Sequence, residues 1–316
     1  MQSIIDKTKP KSGNAVKLME TFQREGEGDE GIKLPFPILN KLIGNGLRKG
    51  NSSIIAGPGG NGKSYWVYQV LLSLLGSSTA FKYIPLEYDA TEHLRRIMAV
   101  RFKTWGMVEN SKENAEARIG VLMNHPEERK YLERIEANIC ENPCAMEVVD
   151  GVPHISDVSY ALIIELIIHL AKDNDFIVID PITAIDHDPR AGNEWNQQKG
   201  FVKSVAAIAK HYNTHIMMVS HTGKRQKVKG LEAKLTMDDV AGSAAFSRFT
   251  QYMMLMDFHE KRVSTIKKGG GIKKEVEHER TMLIGKATHG PGKGQRLAFD
   301  FTDGPIMEEL GWMTND

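Results

Sequence analysis

Residues Gly57-Pro58-Gly59-Gly60-Asn61-Gly62-Lys63-Ser64 read G-x-x-x-x-G-K-S. Glycines let backbone N–H groups converge on an anion, and a helix that starts there adds its partial positive charge. A lysine in this place reaches the β- and γ-phosphates of a nucleotide, and the serine hydroxyl is a ligand for Mg²⁺. Such a pattern carries weight only between a strand and a helix. Here Ser53 to Ala56 reads as a strand and Tyr65 to Leu75 as a buried helix. The expected nucleotide-binding segment is Gly57, Pro58, Gly59, Gly60, Asn61, Gly62, Lys63, Ser64 and Tyr65.

The remaining chemistry lies downstream. Phe176-Ile177-Val178-Ile179-Asp180 is an apolar strand ending in a carboxylate. Such an aspartate holds the metal side of a phosphate site, so Ser64 and Asp180 are the expected Mg²⁺ ligands. Glu87 ends the strand after the first helix, where it can orient or deprotonate an attacking water. His221 follows another strand in Val219-Ser220-His221-Thr222-Gly223, where a polar side chain can touch the γ-phosphate. A solvated loop glutamate and a satisfied loop histidine are the plain alternatives for these two.

The elements that must position these residues alternate. Ala80 to Leu86, Asp175 to Ile179 and His215 to Val219 read as strands; Thr91 to Phe102, Val158 to Ala171 and Asn196 to Tyr212 read as helices. That order predicts an α/β fold with a mainly parallel sheet covered by helices on both faces. Gln251 to Asp257, Arg280 to Lys286 and Gln295 to Phe301 read as strands without helices between them, so antiparallel hairpins are expected at the C-terminal side. Met146 to Val149 reads as a short strand, and 106–144 as mostly helical with a break at His125-Pro126. The expected organisation is a flexible arm over 1–33, carrying one short helix over Val16 to Phe22, an ATPase domain over 34–302, and a tail over 303–316.

Composition constrains the partners. The chain has 316 residues, with 41 Lys+Arg against 40 Asp+Glu, so any nucleic-acid surface must be local. Cys140 and Cys144 are poorly spaced for zinc and read as reduced, structural thiols. No apolar run reaches the length of a membrane span, and no signal-peptide core precedes the domain, so a cytoplasmic protein is expected. Basic residues cluster at Lys224, Arg225, Lys227 and Lys229, directly after His221, and again from Lys261 to Lys274 around a Gly269-Gly270-Gly271 tip that reads as a hairpin. A cationic loop can track a phosphate backbone without reading sequence. A solvated loop is the alternative. Trp195 reads as a packing residue, and the Met217-Met218 and Met253-Met254 pairs as buried strand residues.

The ordered set of segments resembles a known family. Leu34 to Gly50, Tyr83-Ile84-Pro85-Leu86-Glu87, Asp180-Pro181-Ile182-Thr183-Ala184-Ile185, Ser220-His221-Thr222-Gly223-Lys224, Asp239 to Ala245 and Gly285-Lys286-Ala287-Thr288-His289-Gly290-Pro291 are similar to successive motifs of RecA-like ATPases of the DnaB helicase superfamily. The compact RepA-type hexameric helicases of plasmids and phages look most similar. The resemblance spans roughly 34–302 and implies a RecA-like P-loop NTPase core that uses ATP and Mg²⁺. It implies Glu87 as the catalytic glutamate, with Lys63 and His221 beside the γ-phosphate. It places the 224–229 loop in a ring channel and the 285–291 segment against the neighbouring subunit. Thr288 stands where such proteins usually carry the finger arginine, and Ala241 where a charged residue is usual. Lys286, with Arg296 or Arg248, is therefore expected to act in trans.

The expected activity is an ATP-dependent hexameric DNA helicase moving on single-stranded DNA during replication, with a primase or a single-strand-binding protein as candidate partners. A RecA-like recombinase or strand-annealing ATPase is the first alternative. A regulatory RecA-like ATPase that does not act on DNA is the second.

Overall fold

The computed structural model describes residue 19 and residues 31–108, 125–143, 146–149, 152–155, 158–187, 190, 193–222, 227–228, 231–232, 234–240, 243–266 and 272–312. In chain order the elements are α1 (Pro37–Ile43), β1 (Ser52–Gly57), α2 (Lys63–Leu74), β2 (Phe81–Pro85), α3 (Ala90–Arg101), α4 (Pro126–Glu136), β3 (Met146–Val149) and β4 (Val152–Ile155). There follow α5 (Tyr160–Leu170), β5 (Phe176–Asp180), α6 (Glu194–Tyr212), β6 (His215–His221), β7 (Lys227–Val228), β8 (Leu231–Glu232), α7 (Ser243–Phe249), β9 (Tyr252–Ile266), β10 (Ile272–Ala287), β11 (Arg296–Asp303) and β12 (Ile306–Trp312).

One sheet of eight strands runs β12-β11-β10-β9-β1-β6-β5-β2. Strands β2, β5, β6, β1 and β9 pair in parallel, and β9-β10, β10-β11 and β11-β12 are antiparallel. The expected mixture of a parallel core and C-terminal antiparallel hairpins is present. The parallel strands are apolar on both sides because both faces are covered. Alternate residues separate accordingly. Ile55, Val178, Met217 and Met254 join α1 and α2 on one face. Ile54, Ile177, Met218 and Met253 join α5, α6 and α7 on the other.

Local signals place the helices. Asp89 caps α3 by accepting from Glu92 N at 2.7 Å, and Asn193 caps α6 by accepting from Asn196 N at 2.9 Å. Helix α1 has no local side-chain cap. Glu309 of β12 supplies it instead, its two carboxylate oxygens accepting from Ile38 N at 2.7 Å and Leu39 N at 2.6 Å.

Two segments differ from expectation. Within 303–316, expected as a tail, Ile306–Trp312 pairs with β11 and forms the sheet edge. Its alternation is weak, yet Met307 is buried against α2 and Glu309 caps α1. Strand β3 pairs with β4 as a separate hairpin outside the main sheet. Ile32 and Leu47 form a bridge, so ordered pairing already starts inside the 1–33 segment. The expected short helix over Val16 to Phe22 falls outside the described residues, apart from Met19. No helix among the described residues is long and apolar enough to cross a membrane.

Candidate active site

The phosphate-loop residues turn from β1 into α2 as the sequence requires. Gly60 and Gly62 have φ of 76° and 91°, a region that side chains rarely tolerate, and Gly62 is the residue from which α2 starts. Gly57 packs so close to β9 that a Cβ there would lie 2.3 Å from the Met256 carbonyl oxygen. Asn61 Nδ2 donates to that same carbonyl, tying the loop to β9.

Lys63 is 4 % exposed. Its Nζ donates to the carbonyls of Gly57 and Pro58, both at 2.8 Å, and lies 3.3 Å from His221 Nδ1. Burial lowers its pKa to about 8, against the opposing pull of Asp180 and Glu87. His221 Nε2 sits 3.9 Å from Glu87 Oε2. Burial and then the Lys63 charge lower the His221 pKa, so the ring is neutral near pH 7. Lys63, His221 and Glu87 thus form a line across the carboxyl ends of β1, β6 and β2. Parallel sheets bind ligands at that edge.

Asp180 closes the opposite side. It is 4 % exposed, and burial raises its pKa to about 6. Hydrogen bonds from Tyr83 and Ser64 and the charge of Lys63 hold that rise down. Tyr83 Oη donates to Asp180 Oδ2 at 2.9 Å. A buried carboxylate bonded to a hydroxyl that could itself turn toward a cation is a hard-oxygen donor set suited to Mg²⁺. Ser64 and Asp180 fit that ion.

A cavity of about 370 Å³ opens over Gly59, Gly60, Gly62, Lys63, Ser64, Tyr65, Glu87 and His221. Four further lining residues were not singled out from sequence: Tyr88, Arg96, Trp105 and Phe301. Tyr65, Trp105 and Phe301 meet edge to face, with centroids 5.1 to 5.9 Å apart, and Arg96 lies over the Tyr88 ring at 4.2 Å. Flat apolar faces and a guanidinium beside a phosphate site suit a nucleobase. Tyr88 directly after Glu87 was a usable signal. Phe301 was not, because it comes from a strand more than two hundred residues away in sequence.

The finger candidates lie elsewhere. Lys286 pairs with Met253 at the start of β9, whereas the phosphate loop follows the far end of β1. Its Nζ donates to Ser247 O at 2.7 Å and Thr250 O at 2.6 Å, closing the end of α7. Arg296 donates to Leu235 O and Thr281 Oγ1 and stands 3.8 Å from Asp257 Oδ2. The structure brings neither into the cavity of its own chain. Arg248 is exposed beside Trp195, Lys199 and Phe249 in a small hollow. Trp195 is 48 % exposed rather than packed, with Lys199 Nζ 5.0 Å from its ring. The expected DNA residues Lys224, Arg225 and Lys229 lie outside the described residues, as does the side chain of Lys227. The backbone of β7 pairs with β8 as a two-stranded ribbon just beyond His221. The second basic segment is the expected hairpin, with β9 and β10 in register to Ile266 opposite Ile272.

Among solved structures, an ATPase domain determined on its own superposes with a TM-score of 0.66 at 15 % identity, covering 96 % of this chain and all of that one. A DnaB-like replicative helicase, solved in work on its interactions with primase, gives 0.61 at 13 % identity, covering 95 % of this chain and 67 % of that one. The RadB recombinase gives 0.51 at 14 % identity, over 88 % of this chain and 99 % of that one. No curated protein sequence matches. These likenesses establish the RecA-like fold that the motifs suggested. A family model described as AAA domain matches residues 20–227, more than half of the chain, and spans the phosphate loop, Glu87, Asp180 and His221. The chain belongs to that family of P-loop AAA domains.

Proposed function

We propose that this protein is an ATP-driven motor of the DnaB type, a hexameric ring that translocates on single-stranded DNA in replication. The observation that carries the reading is the line Lys63–His221–Glu87 across one cavity, with the 224–229 basic run rooted on His221. Hydrolysis and strand contact would then share one strand end. Glu87 takes the proton of the attacking water, whose oxygen bonds to the γ-phosphorus as the bond to the β-bridging oxygen breaks and ADP leaves. Lys63 gives up its loop carbonyls to follow charge on the γ-phosphoryl oxygens. Ser64 and Asp180 hold Mg²⁺, which neutralises phosphate charge when bound. Lys286, aided by Arg296 or Arg248, acts on the neighbour's nucleotide. A compact RepA-type ring in the cytoplasm, meeting a primase or a single-strand-binding protein, fits this reading, and the interaction of the DnaB-like helicase with primase supports it.

The test is ATPase activity with and without single-stranded DNA. Stimulation is expected, and binding should weaken with salt by about −0.7 in the log–log slope for each phosphate neutralised. Replacing Lys224, Arg225, Lys227 and Lys229 by Ala should weaken binding alike on all sequences and leave ATP binding intact. The RadB likeness keeps the recombinase reading in play, and unwinding of a forked duplex separates the two. A rate indifferent to DNA in an assembled oligomer would favour the regulatory ATPase.

A further inference from the structure

Behind Asp180 lies a buried polar cluster that the hydrolysis reading leaves unused. Tyr68 of α2, Tyr83 of β2 and His93 of α3 come from three elements and are 0 %, 0 % and 2 % exposed. His93 Nδ1 lies 2.7 Å from Tyr68 Oη and 3.1 Å from Tyr83 Oη. Both phenol rings meet the imidazole edge to face. Burial keeps both phenols protonated and lowers the His93 pKa to about 4, so the cluster carries no charge near pH 7.

The protons can be counted. Tyr83 has one, and it goes to Asp180 Oδ2 at 2.9 Å. Its oxygen can then only accept, from Tyr68 or from His93. Swinging the phenol proton away from Asp180 would aim it at groups that already direct protons toward it, or would leave Asp180 short of a donor. His93 Nε2 stays buried without a partner in either tautomer. Burying an unpaired nitrogen and two hydroxyls is costly, and apolar side chains of similar size would fill the space without that cost. The cluster converges on one oxygen atom. The terminal torsion of an aspartate is soft, so its two oxygens exchange places unless one is held.

We infer that Tyr83, locked in place by His93 and Tyr68, is the positioning residue for Asp180: it fixes one carboxylate oxygen and so aims the other lone pairs, beside the Ser64 hydroxyl, at the divalent cation of a bound nucleotide. The inference rests on the reading of Ser64 and Asp180 as the metal side of the site. It assigns a cation-binding role to three residues that touch neither phosphate nor water.

The experiment is Mn²⁺ binding to the full-length protein with ADP, followed by electron paramagnetic resonance of the free ion, beside ADP binding in excess chelator. Neither measurement depends on turnover. Tyr83→Phe should lose about 10- to 100-fold in Mn²⁺ affinity, the usual size for removing an outer partner of a metal ligand. Metal-free ADP affinity should stay at the wild-type value. Tyr68→Phe keeps the Tyr83–Asp180 bond and should lose less. Should Tyr83→Phe fail to fold, His93→Gln, which loosens the phenol without removing it, carries the same expectation at smaller size. Wild-type Mn²⁺ affinity in a folded Tyr83→Phe, or in His93→Gln where that variant stands in, overturns the inference. An equal loss of metal-free ADP affinity also overturns it, since that reports a disturbed phosphate loop. Absence of Mn²⁺ binding in the wild-type protein with ADP would instead sink the underlying reading of the site.

Discussion

Glu87 is the residue on which hydrolysis turns, and its geometry separates binding from chemistry. It touches neither Lys63 nor Asp180 by hydrogen bond; its ion-pair neighbour is His221 at 3.9 Å. Glu87→Gln should therefore bind Mg²⁺-ATP like wild type and lose about 10²- to 10⁴-fold in kcat, because an amide cannot take the water's proton. Retention of full kcat would move the base to another carboxylate. Lys63, Ser64, Asp180, Glu87 and His221 were all legible in the sequence, since each sits at a strand end or helix start that local patterning marks. Tyr83 and His93 were not. In the sequence Tyr83 is one more apolar position of a strand, and its bond to Asp180 exists only because β2 lies beside β5. Arg296 was read as a finger for its charge, yet three protein groups surround its guanidinium.

The elements were legible where period and caps agree, and less so where a distant partner completes them. Strands β1, β5 and β6 announced themselves as apolar runs, and β12 did not, because its pinning contacts reach back to α1 and α2. The start of β6 gives a prediction of its own. His215 is fully buried, with Nε2 2.9 Å from Ser53 Oγ and Nδ1 2.8 Å from Arg48 O, so it stitches β6 to β1 and to the turn before it. Burial lowers its pKa from 6.5 to about 4, against the hydrogen bond to Arg48. Between those values the unfolded chain binds a proton that the folded chain refuses, so stability must fall as pH drops from 6.5 toward 4. One such group contributes a slope of at most about 1.4 kcal/mol per pH unit. His93 acts in the same sense, and Asp180, raised to about 6, in the opposite one. His215→Gln should be less stable than wild type at pH 7, and that gap should narrow steadily below pH 6.5. Urea unfolding at several pH values checks it; parallel curves for the two proteins would refute the assignment.

At the scale of the whole molecule, the sheet has two working ends. Strand β9 runs parallel to β1 and β10 runs back, so Ala287 returns to Tyr252 and Ser53 while Gly57 and the phosphate loop stand at the other end. Four residues of strand separate Ser53 from Gly57, roughly 13 Å at 3.3 Å per residue. Lys286 therefore cannot serve the nucleotide of its own chain, and in isolation its ammonium spends itself on the last carbonyls of α7. A ring of identical subunits resolves this, since the head-to-tail contact that closes a ring brings one end of each subunit to the other end of the next. Mixing Lys286→Ala with Lys63→Ala subunits tests it. Each homogeneous mutant should be inactive, the first for want of the trans cation and the second for want of the P-loop lysine. In mixed rings a Lys63→Ala subunit can lend its intact Lys286 to the intact P-loop of a Lys286→Ala neighbour. Random mixing at equal ratio places that pairing at about a quarter of the interfaces, so hydrolysis should return to a fraction of wild type that peaks near equal mixing. Rings verified as mixed that stay inactive at every ratio would reduce Lys286 to a helix cap and leave the site complete within one chain.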